Sequence, residues 1–151
     1  MNIRMSLAVS IATAATTVGF AGTAHADPRG VNAFQSPSGN IACSLGIASQ
    51  GPIEGKSSVG CDIGDYTWAP PYDCGGPLGV ADAFLLEQGR PPRIICDVGK
   101  KELGPGLATL DYGQTRSAGV ITCDSEPSGM TCTDTSTGHL FHVSRDSYQL
   151  G

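Results

Sequence analysis

Few residues in this chain have the types and spacing that do chemistry. Two histidines, His139 and His142, stand near the C-terminus, and a third, His25, lies in the N-terminal segment. A nucleophilic triad would need one of them beside a distant Ser and Asp, and no Gly-x-Ser-x-Gly elbow occurs to supply the serine. His139 as the base of a small hydrolase is one expectation. The alternative is that His139 simply bonds to the turn Thr135-Ser136-Thr137 before it. As a metal pair, residues three apart on a strand point to opposite faces, and no His-Glu-x-x-His motif exists. No metal is expected. Paired carboxylates for glycoside cleavage would come from Asp62, Asp97, Asp111 and Asp124. Three of these follow cysteines, so strand alternation turns them to the face opposite the cysteine, the wet side. Gly104-Pro105-Gly106 lacks the spacing and the following helix of a phosphate loop. No Cys-x-x-Cys is present for redox work. No cofactor is expected.

The six cysteines, Cys43, Cys61, Cys74, Cys96, Cys123 and Cys132, are too widely spaced for a zinc site. An even number in an exported chain reads as a disulfide framework. One pair follows from geometry. Glu126-Pro127-Ser128-Gly129 has the proline and glycine of a type I turn, and its midpoint is also midway between Cys123 and Cys132. Symmetric strands would put those two opposite each other, at a separation a disulfide spans. For the other four, pairing neighbours, Cys43 with Cys61 and Cys74 with Cys96, is the simplest choice.

The elements that must hold these residues are short. Apolar runs of four to six residues recur between Gly, Pro and Ser: 40–45, 59–63, 83–86, 93–98, 108–112, 119–123, 130–133 and 139–144. Such runs argue strands rather than helices. The best helix candidate is Val80 to Gln88, where Ala81, Phe84, Leu85 and Gln88 would share a face, but Gly79 and Gly89 bracket it and a strand fits as well. The expected fold is all-β, a small antiparallel sandwich or barrel cross-linked by three disulfides. Trp68-Ala69-Pro70-Pro71-Tyr72 is extended by its prolines. Its aromatics either form a recognition groove or fold back onto the core, and the second is preferred. Pro37-Ser38-Gly39 before Cys43 echoes Pro127-Ser128-Gly129 before Cys132, with a different spacing.

The N-terminus reads as an export signal. Arg4 precedes an uncharged run to Phe20, and Ala24-His25-Ala26 ends in the small-residue pattern that signal peptidase accepts. The alternative, a membrane anchor, needs a longer and more apolar run. Residues 1–26 are thus expected as a signal peptide and 27–151 as one domain, with no membrane span after cleavage. The chain carries nine basic and fourteen acidic residues, a net charge of −5, and loses Arg4 with the signal. That balance argues against nucleic acid or anionic lipid as a partner.

Phe34-Gln35-Ser36-Pro37-Ser38-Gly39-Asn40-Ile41-Ala42-Cys43, Cys61-Asp62-Ile63 and Trp68 with Pro70-Pro71 and Cys74 form a recognisable series. It continues through Cys96, Leu110-Asp111-Tyr112-Gly113, Gly119, Cys123, Gly129 and Cys132. It ends on Thr137-Gly138-His139-x-Phe141 and Ser144-Arg145-x-x-Tyr148. Together these resemble a family of small exported proteins of mycobacteria and related actinobacteria, a domain of unknown function. The resemblance implies secretion and the cysteine framework, and brings no activity. Where the family often has Gly-His-Gly-Phe this chain has Gly138-His139-Leu140-Phe141, and Asp97-Val98-Gly99 replaces a frequent Gly-Asp-Thr. His142 falls at a position that varies in the family, which lowers its claim to catalysis.

The functional expectation is a non-enzymatic exported or envelope-associated binding domain with an unidentified envelope or extracellular partner. The sequence fixes no oligomeric state. Ser36, Ser38, Asn40, Trp68, Tyr72 and His139 are the expected contact residues. The alternatives are the envelope-acting hydrolase built on His139 and a secreted protease inhibitor.

Overall fold

The computed structural model describes residues 31–75, 79–96 and 106–151. The proposed signal peptide, Asp97 and Gly104-Pro105 lie outside them. The described residues form two sheets and no helix. Sheet 1 contains β1 (Val31–Gln35), β2 (Ile41–Ile47), β3 (Ser57–Ile63), β4 (Ala81–Glu87), β5 (Arg93–Cys96) and β6 (Ala108–Thr109). Its order is β5-β4-β3-β2-β1-β6. Sheet 2 contains β7 (Thr115–Ala118), β8 (Ile121–Glu126), β9 (Gly129–Asp134), β10 (Leu140–Val143) and β11 (Tyr148–Leu150), in the order β11-β10-β9-β8-β7. All pairings are antiparallel except β1 with β6, which is parallel. Neither sheet closes on itself, so the sandwich is the architecture and the barrel is not.

The strands form because their side chains alternate. Val59, Cys61 and Ile63 of β3 and Ile121, Cys123 and Ser125 of β8 are buried, with half-exposed residues between them. Facing in this way, the sheets enclose one core around Phe34, Leu45, Phe84, Leu86, Met130 and Phe141, all fully buried. At one side, the Arg116 guanidinium of β7 lies over the Phe34 ring, 5.0 Å from its centroid, a favourable cation–π arrangement. The 81–87 segment is a strand buried on both faces, which removes the one-sided stripe an amphipathic helix needs. Gly79 and Gly89, at φ 75° and 79°, turn the chain into and out of it.

All three disulfides join the expected partners. Cys43 is opposite Cys61 and Cys123 opposite Cys132 in the strand registers. The 126–129 turn closes symmetrically, with Glu126 paired to Gly129. Cys74–Cys96 ties the long β3–β4 connection to β5. The two strand-pair bridges meet across the sandwich: the sulfurs of Cys43, Cys61 and Cys132 lie within 4.8 Å of one another. Each sheet is thus cross-linked at the centre of the shared core.

That β3–β4 connection carries the proline-rich stretch, whose two aromatics part ways. Trp68 folds back as expected. It stacks on Tyr66 at 4.2 Å and sets its edge against Tyr148 and Phe84, at 4.8 and 5.9 Å. Tyr72 does not join the core; it is 47% exposed, and its hydroxyl donates to the Ile94 carbonyl at 2.6 Å. Burial, and then the charge and hydrogen bond of the buried Asp82, push the Tyr66 hydroxyl above its ordinary pKa. We expect Trp68→Ala to cost about 2 kcal/mol, less than a fully buried aromatic because Trp68 keeps some solvent contact. Urea denaturation followed by circular dichroism measures it.

Candidate functional site

Successive strand reversals send alternate connections to opposite ends of the sandwich, and the two ends differ. One is stapled shut. Ser57 Oγ accepts the Val120 N–H at 3.2 Å, linking the start of β3 to the β7–β8 turn. Gly119 in that turn has φ 57°, and a side chain there would run into Ser57. Asp134, fully buried at the end of β9, accepts the Gly89 N–H of the β4–β5 turn at 2.7 Å. The same carboxylate accepts the Ser136 N–H at 2.9 Å and the Ser136 hydroxyl at 2.6 Å. Burial alone would raise its pKa. The hydrogen bonds from Ser136, Gly89 and Thr137 outweigh that and hold it at about 2, against an ordinary 3.8.

The other end is open. The β1–β2, β6–β7, β8–β9 and β10–β11 connections and the exit from β3 converge there around a groove of about 750 Å³, within the size range of small-ligand sites. Ser36, Ser38 and Asn40 come from the β1–β2 turn, and Glu126 to Gly129 from the β8–β9 turn at the centre of the second sheet. The two Pro-Ser-Gly turns that echo each other in sequence therefore line one groove, one from each sheet. Tyr112, 47% exposed, stands on the β6–β7 turn, and Ser144 to Asp146 on the β10–β11 turn complete the wall.

These walls are fixed from behind. The Asn40 side chain donates to the Asp65 carbonyl at 2.9 Å and accepts the Asp65 N–H at 2.6 Å. Ser36 and Ser38 hydroxyls pair at 3.0 Å. The Trp68 indole N–H donates to the Ser144 carbonyl at 3.1 Å, and the Thr67 N–H to that of Arg145 at 2.8 Å. The aromatic stretch thus braces a groove wall without lining it. Asp65, Glu126 and Asp146 make the groove acidic, with Arg145 as its one cation among the described residues. Among the described residues, the Arg145 guanidinium makes no ion pair.

The expected contact residues separate accordingly. Ser36, Ser38 and Asn40 come together in the groove, Trp68 and Tyr72 lie on the β3–β4 connection, and His139 lies in the β9–β10 turn at the stapled end. His139 is bound to its turn through its backbone N–H, which donates to Thr137 Oγ1 at 3.2 Å. His142 points outward from β10 and pairs with the Thr131 hydroxyl at 2.9 Å. Asp62 and Asp124 project from the outer faces of different sheets, opposite the buried Cys61 and Cys123, so these two share no cleft. Sequence reasoning missed Asp65, Glu126, Ser128, Arg145 and Asp146. The echoed Pro-Ser-Gly turn was the one signal that could have found some of them.

The fold and groove define a class: a disulfide-linked β-sandwich with a polar groove at one end. Residues 14–150 match a family described as a family of unknown function (DUF6636), and the chain belongs to it. No curated protein and no solved structure matches it.

Proposed function

We propose that this chain is an exported binding domain of the cell envelope that presents its open-end groove to an envelope partner. One observation carries the reading: five connections drawn from both sheets meet in one groove, on a scaffold cross-linked through its core. Loops held by a rigid frame are where binding residues concentrate, and pre-organisation lowers the entropy cost of association. Export is supported by the leader-like N-terminus and by three disulfides, which persist in oxidising compartments. The envelope placement is supported by the resemblance to exported mycobacterial-type proteins. An actinobacterial source belongs to the same proposal.

Capture from a solubilised envelope extract on the immobilised domain tests it. Arg145→Ala and Asn40→Ala, in the groove, should each abolish most of the captured material. His139→Ala and Thr135→Ala, at the stapled end, should leave it unchanged. Equal capture by all four variants, or loss confined to the stapled-end pair, contradicts the groove as the binding face. Arg145 is exposed and unpaired among the described residues, so its loss should not disturb folding.

A further inference from the structure

We propose that the groove binds a neutral, hydroxyl-rich saccharide chain; this rests on the reading of the groove as the binding site and names its ligand class. The lining is made of groups that suit polyols. Ser38 and Ser128 contribute exposed hydroxyls, and Asn40 the amide hydrogen that its two bonds to Asp65 leave over. The Ser36 and Ser144 hydroxyls bond to Ile41 and Ser147 and hold the wall in shape. Carboxylates of Asp65, Glu126 and Asp146 add acceptors, and Arg145 adds a fan of donors. A sugar hydroxyl is itself a donor and an acceptor, so it can pair with the carboxylates, with the guanidinium and with the remaining hydroxyls alike.

The remaining ligand classes fit less well. Three carboxylates against one guanidinium repel a phosphate or uronate polymer. Acyl chains and amphipathic helices require an apolar floor, and here the large aliphatic residue at the floor, Ile41, is only 4% exposed. A metal ion or a single ammonium needs carboxylates gathered at one point. Among the described residues, the only close group of potential metal ligands is made of bridged cysteines, Cys43, Cys61 and Cys132. What the groove does offer beyond hydrogen bonds is the Tyr112 ring, 47% exposed on its wall. An aromatic plate with a wet edge suits the apolar C–H face of a pyranose. The fixed turns keep these groups in place before a ligand arrives, with Asn40 locked to Asp65 and Ser144 to the Ser147 carbonyl at 3.0 Å.

Amide chemical-shift titration of the oxidised full-length mature protein tests this with three sets of probes. These are neutral tetrasaccharides of gluco, manno, galacto and arabino configuration, an oligogalacturonate of equal length, and a pentalysine peptide. The expected result is saturable shifts in at least one neutral series, confined to amides of the 36–40, 64–65, 111–113, 126–129 and 144–146 turns, with a dissociation constant of about 1 mM or tighter. Tyr112→Ala should weaken that binding about tenfold and Tyr112→Phe should leave it nearly intact. The proposal is overturned if no neutral tetrasaccharide shifts those amides, or if the oligogalacturonate or pentalysine binds there more tightly. Should pentalysine alone occupy the groove, the ligand class fails and the groove remains the binding face. Should every probe leave the groove silent while Arg145→Ala also captures envelope material normally, both readings fall.

Discussion

Reducing the three disulfides unfolds this domain in the absence of denaturant, or leaves it so marginal that it melts near room temperature. Each bridge closes a loop of 18, 22 or 9 residues, and the chain-entropy model assigns about 3 kcal/mol to each. Their sum, about 9 kcal/mol as an upper figure, matches the whole stability of an ordinary domain. The loss is also ordered. Cys74 and Cys96 are half-exposed, whereas Cys43, Cys61, Cys123 and Cys132 are at most 3% exposed. A dissolved thiol therefore reaches Cys74–Cys96 first, releasing the β3–β4 connection from β5 while the sandwich stays folded. The two core bridges open only when the sheets separate. Thermal melts at increasing dithiothreitol, with alkylation and mass mapping at each step, should show one bridge lost before the cooperative transition. The double variant Cys43→Ala/Cys61→Ala should lose about 3 kcal/mol by denaturant titration. An unchanged transition in the fully reduced protein would contradict this.

Asp134→Ala should destabilise the domain by about 3 kcal/mol. It strips charge-assisted bonds from the Gly89 and Ser136 N–H groups, and a buried donor without its acceptor is costly. Asp134→Asn keeps the shape and should lose about 2 kcal/mol, the equivalent of the carboxyl's displacement from 3.8 to about 2. Because the folded pKa is depressed, this stability is fully present above the unfolded value. It drains away as the pH falls through the window between about 4 and 2. Urea titrations at pH 6, 4, 3 and 2 on wild type and Asp134→Asn should converge as the pH falls, as the wild type loses what the variant never had. A constant difference between the two down to pH 2 would show that the carboxylate charge is not what staples that end.

Much of the scaffold was legible in the residues. Pro127-Ser128 placed Cys123 opposite Cys132, because a two-residue reversal fixes the register of both strands. Alternation turned Asp62 and Asp124 outward. β1, β7 and β11 were missed for different reasons. β7 reads Thr-Arg-Ser-Ala and β11 only Tyr-Gln-Leu, edge strands with little apolar pattern to detect. β1, with the sequence Val-Asn-Ala-Phe-Gln, was passed over beside the leader. The 108–112 run was overextended: Leu110 turns inward, 3% exposed, and Asp111 to Gly113 leaves the strand as a turn. The groove was half legible. Ser36, Ser38 and Asn40 stood out together, but Asp65, Glu126 and Arg145 join them only through sheet order, which no local pattern encodes. The same applies to His139: strand parity puts its turn at the end opposite Ser36.

Disulfide mapping of the protein recovered from oxidising export, digested without reduction, bears most directly on the scaffold from which everything here follows. The linked peptides should join Cys43 to Cys61, Cys74 to Cys96 and Cys123 to Cys132, with no thiol available to alkylation. A free sulfhydryl at any of the six, or a link between the two sheets such as Cys43 to Cys132, would contradict the account.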